Sequence, residues 1–249
     1  MLNSSKIFIK QFGSGRPIVW IHGFLESGTM WEHLALDRIP GKHLCIDLPG
    51  HGKSPDPEVQ FSIRELAVEI QLLLAGMGYE EYDLVGHSLG GYVALEMHRI
   101  MSVKGKLVLF HSNFWADGPQ KKKDRTRVAD LVMKDAAGFV KQAIPLLFID
   151  RKRDAKQIEE LIREALQMNT KSIAQYSRAM RDRRSNIRYA LSISDQLLVI
   201  QGEEDPVIPL EQMLHYDEKL QIESFSETGH MGHIERSQEI SQRLNLFLR

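Results

Sequence analysis

The sequence predicts an α/β fold: a mostly parallel central sheet flanked by helices, with a helical cap inserted between two strands. Three observations predict it. Short apolar runs of strand length alternate with longer segments of helical period, the rhythm of βαβ units. Several of those runs are apolar on both faces, as strands covered by helices on each side must be. From about Phe114 to Ala190 no strand-like run interrupts the helical patterns, so that stretch reads as an insertion.

The strand-like runs, in order, are Lys6 to Lys10, Pro17 to Ile21, His43 to Leu48, Asp83 to His87, Lys106 to His111, Gln196 to Gln201 and Ile222 to Ser226. Ile63, Leu66, Ala67, Ile70, Leu73, Leu74 and Met77 recur at helical spacing, behind Ser62 and Glu65 in capping-box positions and ahead of Gly78 as a stop. A second helix is expected from Ser88 to about Met101. The last is expected from about Ser237, with Ile240, Leu244 and Phe247 toward the sheet. Within the insertion Ile158, Leu161, Ile162, Ala165 and Leu166 form an apolar helical stripe. The expected division is a core of residues 1–113 and 191–249 and a cap of 114–190.

Composition narrows the function classes. The 249 residues carry 32 Lys or Arg against 33 Asp or Glu, a net charge of −1, so no global field favours nucleic acid or an anionic membrane. The charge is split: the insertion carries +8 and the remainder −9. Lys121, Lys122, Lys123 and Arg181, Arg183, Arg184 read as solvated helix faces or as an electropositive lid over an anionic substrate. The first residues lack the apolar stretch of a secretory signal, and no run has the length of a membrane span. The single cysteine, Cys45, excludes an internal disulfide and a multi-thiolate zinc site. A cytoplasmic location is expected.

The strongest local signal is Gly86-His87-Ser88-Leu89-Gly90, a GxSxG pentapeptide between a strand and a helix. A serine on such a turn is held in strained backbone geometry with its Oγ exposed, and the helix N-terminus aims N–H groups at charge forming beside it. A serine hydroxyl needs a base and a group that orients the base. Downstream, Gly202-Glu203-Glu204-Asp205-Pro206 follows one strand, at the sheet edge where open α/β sheets bind ligands. Asp205 is the preferred acid, with Glu203 and Glu204 competing on chemistry alone. Gly229-His230-Met231-Gly232-His233 follows the last strand, with His230 the preferred base and His233 its local rival. The order Ser88, Asp205, His230 favours His230. Leu89 and Phe24, the latter in the His22-Gly23-Phe24 loop, are the expected N–H donors to an oxyanion.

With these motifs in hand, the chain resembles the α/β-hydrolase superfamily, within it the small lid-bearing esterase, lactonase and C–C hydrolase group. The matches are His22-Gly23-Phe24, DLPGHGKS at 47–54, GHSLGG at 86–91, GEEDPVIP at 202–209 and Gly229-His230. The resemblance implies Ser88 as nucleophile, His230 as base, Asp205 as its orienting acid, Phe24 and Leu89 as oxyanion donors, and 114–190 as the cap. It implies no cofactor and no metal, and a small-molecule substrate as the partner of a monomer or homodimer. Ser88 at the elbow disfavours the members with an Asp nucleophile. His22 and His87, and Trp115, Phe139 and Phe148 of the insertion, are candidates for substrate contact. Each also has a plainer reading, as a structural histidine or as the small core of a cap.

The expected activity is hydrolysis of a small carboxylic ester, lactone or related acyl compound through an acyl-enzyme. HGFLES with DLPGHGKS and SLGG also looks like the menaquinone-pathway synthase that eliminates pyruvate with the same triad. That group carries an arginine directly after SLGG and usually a tyrosine before the serine, where this chain has Tyr92 and His87; Arg125 or Arg127 would have to bind the carboxylate instead. A hydrolase-fold receptor that binds a small molecule and signals is a third class.

Overall fold

Alternate positions of the central strands enter two different cores, and this separates the sheet into two covered faces. Val19, Ile21, Leu84, Leu107, Leu109, Leu197 and Val199 join one cluster, with Leu66, Ile70 and Leu74 of a flanking helix. Ile18, Trp20, Val85, Val108, Phe110, Leu198 and Ile200 join the other, with Trp31, Ile240 and Leu244. These side chains are at most 2% exposed, each worth about 1.5–3 kcal/mol of transfer free energy for an aliphatic group of this size.

The computed structural model describes residues 7–100 and 105–249. Its strands are β1 (Ile9–Gly13), β2 (Pro17–Ile21), β3 (Lys42–Ile46), β4 (Asp83–His87), β5 (Leu107–Phe110), β6 (Leu197–Gly202) and β7 (Gln221–Phe225). They form a seven-stranded sheet in the order β1-β3-β2-β4-β5-β6-β7, with β1 antiparallel to β3 and the other pairings parallel. This is the predicted α/β class.

The strand at Lys6 to Lys10 is corrected: β1 begins at Ile9, and Lys6 lies outside the described residues. As an edge strand it buries only Ile9 and Phe12, and those partially, so the apolar run Ile7-Phe8-Ile9 was a poor marker of its limits. The other strand expectations hold to within two residues at each end.

Helix α1 (Ile63–Gly76) starts at the expected capping box, in which Ser62 Oγ accepts from Glu65 N–H and the Glu65 carboxylate accepts from Ser62 N–H. Gly78 follows with φ 83°, a left-handed stop open to glycine. Helix α2 (Leu89–Ile100) begins directly after Ser88; the expected end at Met101 lies outside the described residues.

Between β5 and β6 the chain runs through α3 (Pro119–Ala143), α4 (Ala155–Ala165), α5 (Thr170–Arg181) and α6 (Ile187–Ser192). Helix α3 kinks at Asp135, whose φ of −150° and ψ of 77° are not helical. Ala129, Val132, Val140, Ile158, Leu161 and Ile173 form a third core that also takes in Leu25 and Met231 from loops at the sheet edge. The expected boundary at 190–191 falls inside α6, and Phe114 and Ala190 belong to the main core. The helical insertion therefore follows the carboxyl end of β5. Helices α7 (Leu210–Leu214), α8 (Gly232–Glu235) and α9 (Ser237–Leu248) complete the fold. No helix among the described residues is long and apolar enough to cross a membrane.

Candidate active site

Ser88 sits at the carboxyl end of β4 with φ 49°, a left-handed backbone conformation that costs a non-glycine residue roughly 1–2 kcal/mol. The turn is enforced from several sides. Ser88 N–H donates to the Phe110 carbonyl at 2.9 Å, and Ser112 Oγ donates to the Ser88 carbonyl at 2.7 Å. A Cβ on Gly90 would run into the carbonyl oxygens of Ile21 and His22, and one on Gly86 into the Gly90 backbone. The two glycines let strand, turn and helix approach closely. Ser88 is half-buried while His87 and Leu89 on either side are buried.

At the end of β6, Asp205 is the acid that meets His230: His230 Nδ1–H donates to Asp205 Oδ2 at 2.8 Å. Glu203 and Glu204 are exposed and engaged elsewhere, with Ser224 Oγ and Thr228 N–H. Asp205 is fully enclosed by donors. Gln201 Nε2 reaches Oδ2 at 2.9 Å, His111 Nδ1 at 3.2 Å, and the N–H groups of Val207 and Ile208 reach Oδ1 at 2.8 and 3.0 Å. Burial pushes the Asp205 carboxyl up, but the charge of the adjacent His230 and the donors from His111 and His230 outweigh it and hold the carboxyl well below its ordinary range. His111 is driven down to about 4 by burial, so its ring stands neutral beside the carboxylate. Sequence reasoning missed Gln201 and the role of His111; their only signal was position, a polar residue at each of two strand ends.

The His230 loop is tied to the serine elbow through His87, the residue before Ser88. The His87 ring donates from Nε2 to the His230 carbonyl at 3.0 Å, and the two rings lie 5.0 Å apart. His233 is fully buried, has no contact with Asp205 among the hydrogen bonds and ion pairs of the described residues, and faces Glu26 Oε1 at 3.7 Å. Burial drives its ring well below the ordinary histidine value.

Two buried groups, Glu26 with His87 and His233, and His111 with Asp205 and His230, bring carboxylate and imidazole atoms within 4.8 Å of one another. In each, the carboxylate touches an imidazole at hydrogen-bond length, 2.7 Å for Glu26–His87 and 2.8 Å for Asp205–His230. Two ligands of one tetrahedral metal ion at bonds of about 2.0–2.1 Å stand farther apart than that. Both groups read as hydrogen-bonded pairs.

The loop after β2 holds the expected oxyanion segment. Gly23 N–H donates to Glu26 Oε2 at 2.8 Å, and Leu25 takes φ 67°. Phe24 is half-buried and packs against both the main core and the cap core. Leu89 opens α2, so its N–H is among the first-turn donors that a helix leaves free. The DLPGHGKS loop braces this segment, because Asp47 accepts from Gly28 N–H at 2.7 Å and from Lys53 N–H at 2.8 Å.

The substrate-contact candidates divide. His22 and His87 are buried, and every ring nitrogen is engaged by protein: His22 with the Gly23 carbonyl and Leu48 N–H, His87 with Glu26 and the His230 carbonyl. Neither ring has a nitrogen left to hydrogen-bond a ligand. Phe148 is buried in the cap core and Phe139 packs against it, together with Phe24 and Leu147. Trp115 is separated from them, packing on the main core with Phe114 and Tyr216 at ring distances of 5.3 and 6.3 Å. Arg125 pairs with Asp117 at 3.3 Å and Arg127 with Asp124 at 3.0 Å. Buried Arg183 is also neutralised by Asp117, at 2.7 Å, and lies 4.0 Å over the Tyr92 ring.

Residues 18–243 match the model of the Alpha/beta hydrolase family. Among curated relatives, the dihydrolipoyllysine-residue acetyltransferase component of the acetoin cleaving system of Pseudomonas putida is 26% identical over 246 residues, covering 94% of this chain and 64% of that protein. A 2-succinyl-6-hydroxy-2,4-cyclohexadiene-1-carboxylate synthase of Serratia proteamaculans is 38% identical over 88 residues, 35% of this chain and 34% of the synthase. The chain thus spans less than two thirds of the length of each. Among solved structures, a thermophilic esterase from Thermogutta terrifontis superposes with a TM-score of 0.88 at 25% identity, over 98% of this chain and 93% of that one. The strained serine after β4, the acid after β6 and the histidine after β7 all lie within the matched span, and the chain belongs to the alpha/beta hydrolase family.

Proposed function

We propose that the protein is a serine hydrolase of small carboxylic esters, lactones or related acyl compounds, working through an acyl-enzyme. The observation that carries this reading is the 2.8 Å His230–Asp205 hydrogen bond on a loop fastened, through His87, to the strained Ser88 elbow. The likeness to an esterase structure over nearly the whole chain supports it.

In the mechanism, Asp205 accepts from Nδ1–H and so leaves His230 Nε2 as the base. Nε2 takes the Ser88 proton as Oγ attacks the acyl carbon. The N–H groups of Leu89 and Phe24 hold the oxyanion, each worth about 3 kcal/mol of barrier. His230 then hands the proton to the leaving alcohol, and water repeats the cycle to release the acid. Protein groups alone carry the chemistry, and residues 114–190 act as the cap that sets acyl size.

The test is turnover of p-nitrophenyl esters of increasing chain length by the protein and by Ser88→Ala. Ser88-dependent turnover supports the reading, and its chain-length limit measures the acyl pocket; turnover that survives the substitution overturns it. The match to the synthase favours a second reading, elimination of pyruvate from a carboxylate-rich intermediate. Against it stand Tyr92 at the expected arginine and the pairing of Arg125, Arg127 and Arg183 with carboxylates. Pyruvate release from that intermediate, with esters barely touched, would favour it.

A further inference from the structure

We propose that Glu26 and His87 are a positioning pair for the serine-hydrolase site, a buried carboxylate–imidazolium strap that fastens the oxyanion loop and the base loop to the nucleophile elbow. This rests on the function proposed above and adds two residues to it.

The geometry fixes the protonation. His87 Nδ1 lies 2.7 Å from Glu26 Oε2, and His87 Nε2 lies 3.0 Å from the His230 carbonyl oxygen. The carbonyl only accepts, and Glu26, its carboxyl held down to about 2, only accepts as a carboxylate; with Glu26 ionised both ring nitrogens carry hydrogen and the ring is a cation, since a neutral tautomer would then set two lone pairs against each other at one of these contacts. The His87 and Glu26 side chains are 1% and 5% exposed, so water does not substitute for either partner. The groups facing His87 are Glu26 from the loop after β2, His111 at the end of β5 at 5.9 Å between rings, and His230 and His233 from the loop after β7 at 5.0 and 5.3 Å. Burial lowers His111 and His233, which leaves Glu26 as the adjacent counter-charge, with the Asp205 carboxylate adding to it. Burial opposes the charge on His87 too, but Glu26 outweighs it and raises the ring above its ordinary value.

One carboxylate oxygen therefore does two jobs. Glu26 Oε2 accepts from Gly23 N–H at 2.8 Å, which orients the backbone next to Phe24, and from His87, which sits next to Ser88. His87 in turn holds the carbonyl of His230. Nucleophile, base and oxyanion donor stand on three separate loops, and the strap sets their spacing without touching the reacting atoms.

The experiment pairs spectroscopy on the native protein with steady-state kinetics on a p-nitrophenyl ester. Ring ¹⁵N spectra at pH 7, assigned by the signal lost in His87→Gln, are expected to show His87 protonated on both nitrogens. His87→Leu and Glu26→Ala are expected to lower kcat by about tenfold or more with KM within about twofold. Glu26→Gln, which keeps an acceptor for Gly23 and a partner for His87, should restore kcat to within about threefold. A neutral His87 in the native protein overturns the proposal whether or not the variants fold, as does a folded His87→Leu with kcat within about twofold of native. Ser88→Ala, run alongside, separates the two failures: turnover that survives it removes the hydrolase reading itself.

Discussion

The amide of the candidate base, His230, donates to the carbonyl of Leu147, in the helical insertion, at 2.9 Å. The His230 loop is thus held from the insertion as well as from the sheet. Glu235 reinforces the joint, since its two oxygens accept from Gly229 N–H at 2.8 Å and from Ile149 N–H at 2.9 Å. Its side chain is fully enclosed, and burial raises its carboxyl despite these two donors. Glu235→Ala strands both amides and is expected to lose about 2–4 kcal/mol in urea denaturation. Activity should fall with it, because the freed loop carries His230.

The strain at Ser88 has a measurable counterpart. Glycine accepts φ 49° at no steric cost, so Ser88→Gly should be inactive on esters yet more stable than the native protein by about 1 kcal/mol in the same denaturation experiment. A loss of stability would mean the elbow is not strained.

Asp205 depends on Gln201, whose Nε2 also donates to the Ile208 carbonyl at 2.6 Å. Gln201→Leu removes one donor from a buried carboxylate and leaves a carbonyl unpaired, a cost of about 1–3 kcal/mol. Turnover should fall about tenfold as the acid loses its orientation. Glu203→Gln and Glu204→Gln keep most of the activity, and a large loss at either would move the acid.

Stability should weaken in acid through Glu26. Burial raises its carboxyl, but the neighbouring charge and hydrogen bond of His87 outweigh burial and bring it down to about 2 from an ordinary 4.5. A depressed carboxyl contributes stability that is present above about pH 4.5 and lost as pH falls toward 2, about 3 kcal/mol for this shift. Denaturation midpoints across that window should fall more steeply for the native protein than for Glu26→Gln.

The sheet was legible because apolar runs of strand length are local signals, and the candidate site positions because Gly86 and Gly90 at the elbow and the loops at strand ends are local too. The candidate acid was only half legible: Glu203, Glu204 and Asp205 are chemically alike, and the hydrogen bonds that set Asp205 apart come from residues as distant as His111. The pairing of Glu26 with His87 joins positions 61 residues apart and leaves no pattern in either segment. Aromatic residues of the insertion divided for a similar reason, since helix periodicity gives a buried face without saying which core it enters. Trp115 went to the main core and Phe148 to the cap.

The central claim, that Ser88 is a nucleophile activated by His230 and Asp205, is tested most directly by labelling with a fluorophosphonate probe followed by peptide mapping. The account predicts one adduct, on Ser88, formed rapidly in the native protein and slowed by orders of magnitude in His230→Ala. Labelling of another residue, or an Ser88 adduct whose rate ignores His230→Ala and Asp205→Asn, would contradict it.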